Sequence, residues 1–311
     1  MQILWLGDSE SMDRALVGGK VANLSRLAAA YDVPPGYCLP TTALTASEPM
    51  GTPTRDALRL PASLKEGVAR AYTQLAARCG AAPSVAVRSS AVDEDGGAAS
   101  FAGQHDTFLN ICGADAVIAA VERCWESAYT DRALEYRRRQ GLSTEHVGLA
   151  VLVQRLVPAD VSAVVFSANP ITGDRGEVVI NASWGLGESI VGGTVTPDTL
   201  IVGKADHTVH SRLIAEKRRM TIAIPGGTRE VDVPRLLRTQ PTLNEIQIGA
   251  MAALASALES TMGWPVDVEC AFHGDRLYLL QCRPITTLTA EHPLAALALA
   301  SGRAGAALTG M

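Results

Sequence analysis

Glu269, Gln281 and Arg283 have types and spacing that can hold a metal–phosphate group. They lie in the stretch 266–286, which reads as two short strands, Val266–Phe272 and Leu277–Pro284, joined by a turn with Gly274 and Asp275. Side chains alternate faces along a strand, so Gln281 and Arg283 share one face. If Gly274, Asp275 and Arg276 form a three-residue loop, Glu269 lies directly opposite Gln281 on that face. A two-residue turn would shift the register and send Glu269 to the other side. Oxygen donors suit magnesium, and a guanidinium suits phosphate. An ordinary hairpin with an exposed ion pair accounts for the same residues. Cys270 and Cys282 flank Glu269 and Gln281 and should point to the opposite, packed face.

Three further residues have a comparable potential. Lys20 follows Gly18-Gly19 at the start of a helical pattern. Glycines there let the backbone approach a ligand, and a helix N-terminus favours anions. The spacing is not that of a P-loop, and a surface lysine at a helix start explains it equally well. Arg88 ends the apolar run Val85-Ala86-Val87 before an acidic, glycine-rich loop at 93–97. It can clamp a phosphate with paired hydrogen bonds, or pair with Asp93 or Asp106. Gln154 interrupts the apolar strand 148–157, where a buried amide needs a partner, either protein or a ligand such as adenine.

The elements that must position these side chains are legible in outline. Residues 43 to about 82 are helix-rich, with a start near Pro61–Leu64. Strands are expected at 85–90, 108–111, 148–157, 162–167, 177–183, 200–203 and 209–215. The stretch 115–140 carries one apolar stripe and predicts one amphipathic helix, with Arg137-Arg138-Arg139 at its C-terminal pole. A second helix begins at Thr242–Glu245 and runs to about Met262. Trp184–Glu188 opens a glycine-rich loop that is a poor dinucleotide fingerprint, because no strand–acid context follows. Lys217-Arg218-Arg219 is either a lid over phosphates or a solvated cluster. His207 and His210 lack a third ligand and read as exposed histidines. The Ala/Leu-rich tail 287–311 is compatible with one helix.

Bulk properties exclude several classes. The 311 residues are 47% hydrophobic, enough for one large domain or two lobes. The net charge of −5 and the lack of a long basic run argue against nucleic-acid binding as the main activity. No apolar stretch is long enough to cross a bilayer, and the acidic N-terminus is unlike a signal peptide, so a cytoplasmic protein is expected. The six cysteines are scattered, with no C-x-x-C pair, which favours reduced thiols over zinc.

Taken together, Gly18–Leu24, Pro34-Pro35-Gly36, Val87–Ser90, Ser100–Gln104, Ser183–Glu188 and Leu280–Thr286 resemble, in this order, the ATP-binding domain of the dikinase superfamily. That superfamily includes phosphoenolpyruvate synthase, pyruvate phosphate dikinase and rifampin phosphotransferase. The resemblance covers roughly 4–286. It implies an α+β, ATP-grasp-like fold with nucleotide between two lobes, about 1–112 and 113–286. It implies ATP and Mg2+ as ligands. Lys20, Arg88 and Arg283 would hold phosphates, Gly103 and Thr107 would line the phosphate loop, Gln154 would sit near the adenine, and Glu269 and Gln281 would bind magnesium.

Enzymes of this type pass phosphate through a histidine on a swivelling domain, and no histidine here (His105, His146, His207, His210, His273, His292) has that setting. The acceptor is therefore expected to be a small molecule, or a histidine on a separate chain. An ATP-grasp ligase and a non-catalytic nucleotide-binding subunit are the other classes compatible with the pattern.

Overall fold

Alternation of side chains builds the first sheet. In β3 (Val85–Ala91), Val85 and Val87 point into one core while Ala86 and Arg88 face the other way. The computed structural model describes residues 3–45, 58–93, 107–144 and 147–288. Within them, β1 (Leu4–Trp5), β2 (Gly36–Leu39), β3, β4 (Thr107–Ile111) and β5 (Leu149–Arg155) form an antiparallel sheet in the order β1-β2-β5-β3-β4. A helical layer, α2 (Thr41–Thr45), α3 (Ala62–Cys79) and α4 (Ala114–Ser127), covers one face. Trp125, Leu75, Val121 and Val151 are fully buried there.

The second sheet is also antiparallel, in the order β13-β12-β6-β7-β8-β9. Its strands are β6 (Val161–Phe166), β7 (Glu177–Trp184), β8 (Asp198–Gly203), β9 (Val209–Leu213), β12 (Val266–His273) and β13 (Arg276–Pro284). One face packs on α7 (Glu245–Met262) through Ile248, Met251, Ala255 and Leu258. Helix α7 starts where Asn244 and Gln247 cap each other's backbone N–H groups at 2.9 and 3.0 Å, and it stops at Gly263 with φ +78°. Helix α1 (Arg14–Leu27) lies between the sheets, against β3 and β5 on one side and β13 on the other. Its Leu24 and Leu27 join the core of the second sheet.

The expected α+β class with two sheet-based halves is what the chain forms. Strand β5 inserts between β2 and β3, so the chain leaves the first sheet only after Arg155 and enters the second at Val161. The single helix expected over 115–140 is two, α4 and α5 (Asp131–Arg139). Thr130 Oγ1 accepts from the Ala133 N–H at 3.3 Å and restarts the helix, a cap worth about 1 kcal/mol. Arg137 is not only a dipole complement. It is buried, pairs with Asp93 at 3.0 Å and donates to Ser143 O at 2.7 Å.

Lys217 is neither solvated nor over a cleft. It is fully buried against Asp198, which also accepts from Ala215 N, Thr242 N and Thr242 Oγ1. The sequence reading missed a hairpin, α-helix-free and charged on its outer side: β10 (Arg219–Ile224) and β11 (Gly227–Asp232), turning at Pro225-Gly226. The tail beyond residue 288 lies outside the described residues. No helix among the described residues is long and apolar enough to cross a membrane.

Candidate functional site

The uncovered face of the second sheet and part of the first sheet's inner face enclose a cleft of about 330 Å3. The first sheet contributes Ala86 and Arg88 from β3, Thr107 and Leu109 from β4, and Gln154 from β5. The second contributes Ser162 and Val164 from β6, Glu269 from β12, and Leu280, Gln281 and Arg283 from β13. Leu186, Glu188 and Val191 from the glycine-rich loop and the short helix α6 (Glu188–Val191) form another wall.

Lys20, Arg88, Thr107, Gln154, Glu269, Gln281 and Arg283 all line this cleft. Gly103 lies outside the described residues, as do His105 and His146.

Glu269 does pair with Gln281, but by a different route from the three-residue loop. The turn has two residues, with His273 opposite Arg276. The register then shifts between Glu269 and Cys270, because Cys270 pairs with Leu279 and Glu269 with Gln281. Leu280 is the extra residue of a β-bulge, and the bulge restores the pairing that a two-residue turn alone would have lost. The cause is packing. Leu279 and Cys282 both belong to the core under α7, and an odd spacing of three can reach one face only if the strand gains a residue. Cys270 is in that core too, and burial with the neighbouring Glu269 charge pushes its thiol pKa up to about 12.

Gly18 explains the position of Lys20. It interrupts α1 with φ +72°, and a Cβ there would sit 2.3 Å from Ser90 O. The glycine therefore serves a close approach of the helix to β3, rather than to a ligand. Lys20 consequently stands beside the end of β3, its Nζ donating to Ser89 O at 3.3 Å. Arg88 donates to Glu269 Oε2 at 3.3 Å and to Leu280 O at 3.2 Å, and so ties the two sheets together; Asp93 pairs with Arg137 instead, and Asp106 lies outside the described residues. Arg283 donates through Nε and Nη2 to Asp267 Oδ2, both at 2.8 Å. Asp267 is a site residue that the sequence reading missed, although it lies two residues before Glu269 on the same face of the strand. Gln154 is 2% exposed, and its Nε2 donates to Pro34 O at 3.1 Å.

The donor set fits a hard cation bound together with an anion. Gln281 is 4% exposed, lines the cleft and makes no side-chain hydrogen bond to another described residue, an unusual state for a buried amide. No group of three or more His, Cys, Asp or Glu among the described residues is placed to hold a metal. Two protein oxygens with the remainder from phosphate and water is the usual magnesium arrangement. His210 instead pairs with Asp206 at 3.0 Å on the exposed side of the second sheet.

Fold and site thus define a class: an α+β protein with cations, a carboxylate and an amide converging on a cleft between two antiparallel sheets. Residues 56–300 match the family described as pyruvate phosphate dikinase, AMP/ATP-binding domain, and the chain belongs to that family. It is 36% identical to phosphoenolpyruvate synthase of Pyrococcus furiosus over 93% of this chain and 44% of that protein. It is 38% identical to a rifampicin phosphotransferase of a Streptomyces species over 91% of this chain and 36% of that protein. Similarity extends to the prodigiosin synthesizing transferase PigC of Serratia marcescens, at 35% identity over 92% of this chain and 33% of that protein. The chain spans less than half the length of these relatives.

Proposed function

We propose that this chain binds Mg-ATP in the cleft between its sheets and activates it for phosphoryl transfer. One observation carries the reading. Lys20 from α1, Arg88 from β3 and Arg283 from β13 line one cleft with Glu269 and Gln281, although they come from distant parts of the sequence. Arg88 and Arg283 each already face one carboxylate, and Lys20 adds a third cation, a set that suits a polyanion bound together with a metal ion. Membership in an AMP/ATP-binding family supports the same conclusion.

In this reading Lys20, Arg88 and Arg283 hold the phosphates and neutralise charge that develops during transfer. Arg88 exchanges part of its contact with Glu269 for phosphate oxygen, and Asp267 keeps the Arg283 guanidinium oriented. Thr107 lines the phosphate end. Gln154, its amide nitrogen held by Pro34 O, offers its oxygen to the adenine amino group; Leu109, Val164 and Leu186 supply apolar walls for the base. Glu269 and Gln281 hold Mg2+, which shields the charge between nucleotide oxygens when bound.

The acceptor is a small molecule or a histidine on a separate chain. The names phosphoenolpyruvate synthase and rifampicin phosphotransferase favour a relay that ends on a small molecule. Calorimetry with Mg-ATP, followed by separation of AMP plus phosphate from ADP with and without candidate acceptor chains, tests the reading. Binding with AMP formation is the expected result. No binding at millimolar Mg-ATP would overturn it.

A further inference from the structure

The hairpin β10–β11 touches β4, which lines one side of the cleft, and β7 and α6 on the other side. At its base, Leu186 N donates to Thr221 O at 2.9 Å, and Gly185 has φ +76° with no room for a Cβ, which would sit 2.5 Å from Thr221 O. Thr228 Oγ1 donates to Glu188 Oε2 at 2.9 Å. The hairpin is thereby tied to the glycine-rich wall of the cleft, which belongs to the second sheet's half. Its tip reaches the first sheet instead. Asn110 of β4 donates from one amide nitrogen to Ile224 O and, at 2.7 Å, to Gly227 O, the two carbonyls that flank the Pro225-Gly226 turn. Ser84 Oγ donates to Asn110 Oδ1 and holds the amide in that orientation.

Asn110 is 8% exposed and has φ +59°, a backbone state that L-residues adopt at a cost, with asparagine among the more tolerant. A side chain kept in that conformation to grip a turn from another part of the chain is a specific fastening. The adjacent residue Leu109 lines the cleft. Among the described residues, the hydrogen bonds that hold the tip to the first sheet come from this one side chain, and none of residues 222–228 belongs to either apolar core. Bonds of this kind contribute modestly and open locally more readily than a packed core.

We propose that the Arg219–Asp232 hairpin is a latch across the nucleotide cleft and that Asn110 is its catch. Opening the catch frees the first sheet's edge from the glycine-rich wall and sets the rate of nucleotide exchange. The proposal rests on the reading of this cleft as the nucleotide site.

Two variants of the whole chain test it. Asn110→Gly removes the catch and relieves the positive φ at no steric cost. Asn110→Asp keeps the residue's size and the acceptor for Ser84 but places a carboxylate against two carbonyl oxygens. Stopped-flow release of a fluorescent ATP analogue should accelerate about tenfold or more in both, as expected for the loss of hydrogen bonds worth about 1.4 kcal/mol together. Amide exchange of residues 219–232 in the nucleotide-free protein should rise, while exchange in α7 stays as in the wild type. Release rates within about twofold of wild type, or unchanged exchange in the hairpin, would overturn the latch. Failure of the wild-type chain to bind the analogue would instead overturn the nucleotide reading itself, so the two failures are distinguishable.

Discussion

Arg88 Nη2 lies 3.3 Å from Glu269 Oε2, although the two residues are 181 positions apart. The contact joins the inner faces of the two sheets at the cleft, and both side chains are mostly shielded from water, at 15% and 20% exposure. On the proposed reading, it sets a cation suited to phosphate next to an anion suited to magnesium. Ligand phosphate and metal would each take over one partner of this pair.

Arg88→Lys should therefore cost more than a charge-conserving change suggests. Lysine cannot bridge Glu269 and Leu280 O and still present a planar fork to phosphate. A loss of tenfold or more in kcat/KM for ATP turnover, roughly 1.4 kcal/mol, is expected. Steady-state kinetics measure it, and an unchanged kcat/KM would make Arg88 a purely structural tie between the sheets.

Glu269→Ala removes the hard oxygen that faces Gln281. ATP turnover should nearly vanish at saturating Mg2+ with the circular dichroism of wild type, while the thermal midpoint falls modestly because Arg88 loses its carboxylate partner. Wild-type turnover over a magnesium titration would exclude Glu269 from the site.

Lys217→Met tests a structural charge. Asp198 would keep its bonds from Ala215 and Thr242 but lose its buried cation. Breaking such a pair from one side costs about 3–5 kcal/mol, so urea denaturation should show a much lower midpoint. Asp198→Asn combined with Lys217→Met should recover part of the loss. A midpoint for Lys217→Met equal to wild type would show that the pair is not needed to join β8 to the segment before α7.

His210 gives a pH-dependent signal away from the cleft. The hydrogen bond and charge of Asp206 raise its pKa above the ordinary histidine value. A raised folded-state pKa means that the stabilisation is complete below the unfolded value, about 6.5, and is lost as pH rises through the folded value. An NMR titration should place the His210 midpoint above 6.5, and Asp206→Asn should return it to the ordinary range. A wild-type midpoint at or below 6.5 would contradict the pairing.

Cysteine reactivity checks the packing of the hairpin. Cys112 is exposed and should react quickly with a thiol reagent at pH 7, whereas Cys270, with its pKa pushed up to about 12, should react only on unfolding. Fast native-state modification of Cys270, read by peptide mapping, would show that the β12–β13 face is not the buried one.

Much of the site was legible because strand alternation is a local property. Residue types at Arg88, Gln154, Glu269, Gln281 and Arg283 marked polar groups on otherwise apolar strands, and all of these side chains line the cleft. The β10–β11 hairpin was less legible. Its alternation is masked by charge on the exposed side, and its pairing is stabilised by Asn110 and Thr221 contacts that no local window contains. The glycine pair before Lys20 signalled a close approach, but what approaches Gly18 is Ser90 of β3, a partner far away in the chain.

The sequence by itself marked most of the strands and helices, the polar residues that interrupt them, and the resemblance those residues carry in order. Tertiary structure decided which sheet each strand joined and which register the hairpin took. Strand β5 entered the first sheet because its apolar face fits between β2 and β3 over α4, an arrangement that depends on residues more than a hundred positions away. The pairing of Glu269 with Gln281 was decided in the same way. Packing of Leu279 and Cys282 into one core forced Leu280 out as a bulge, and only the burial of that shared face selects the bulged register over the regular one.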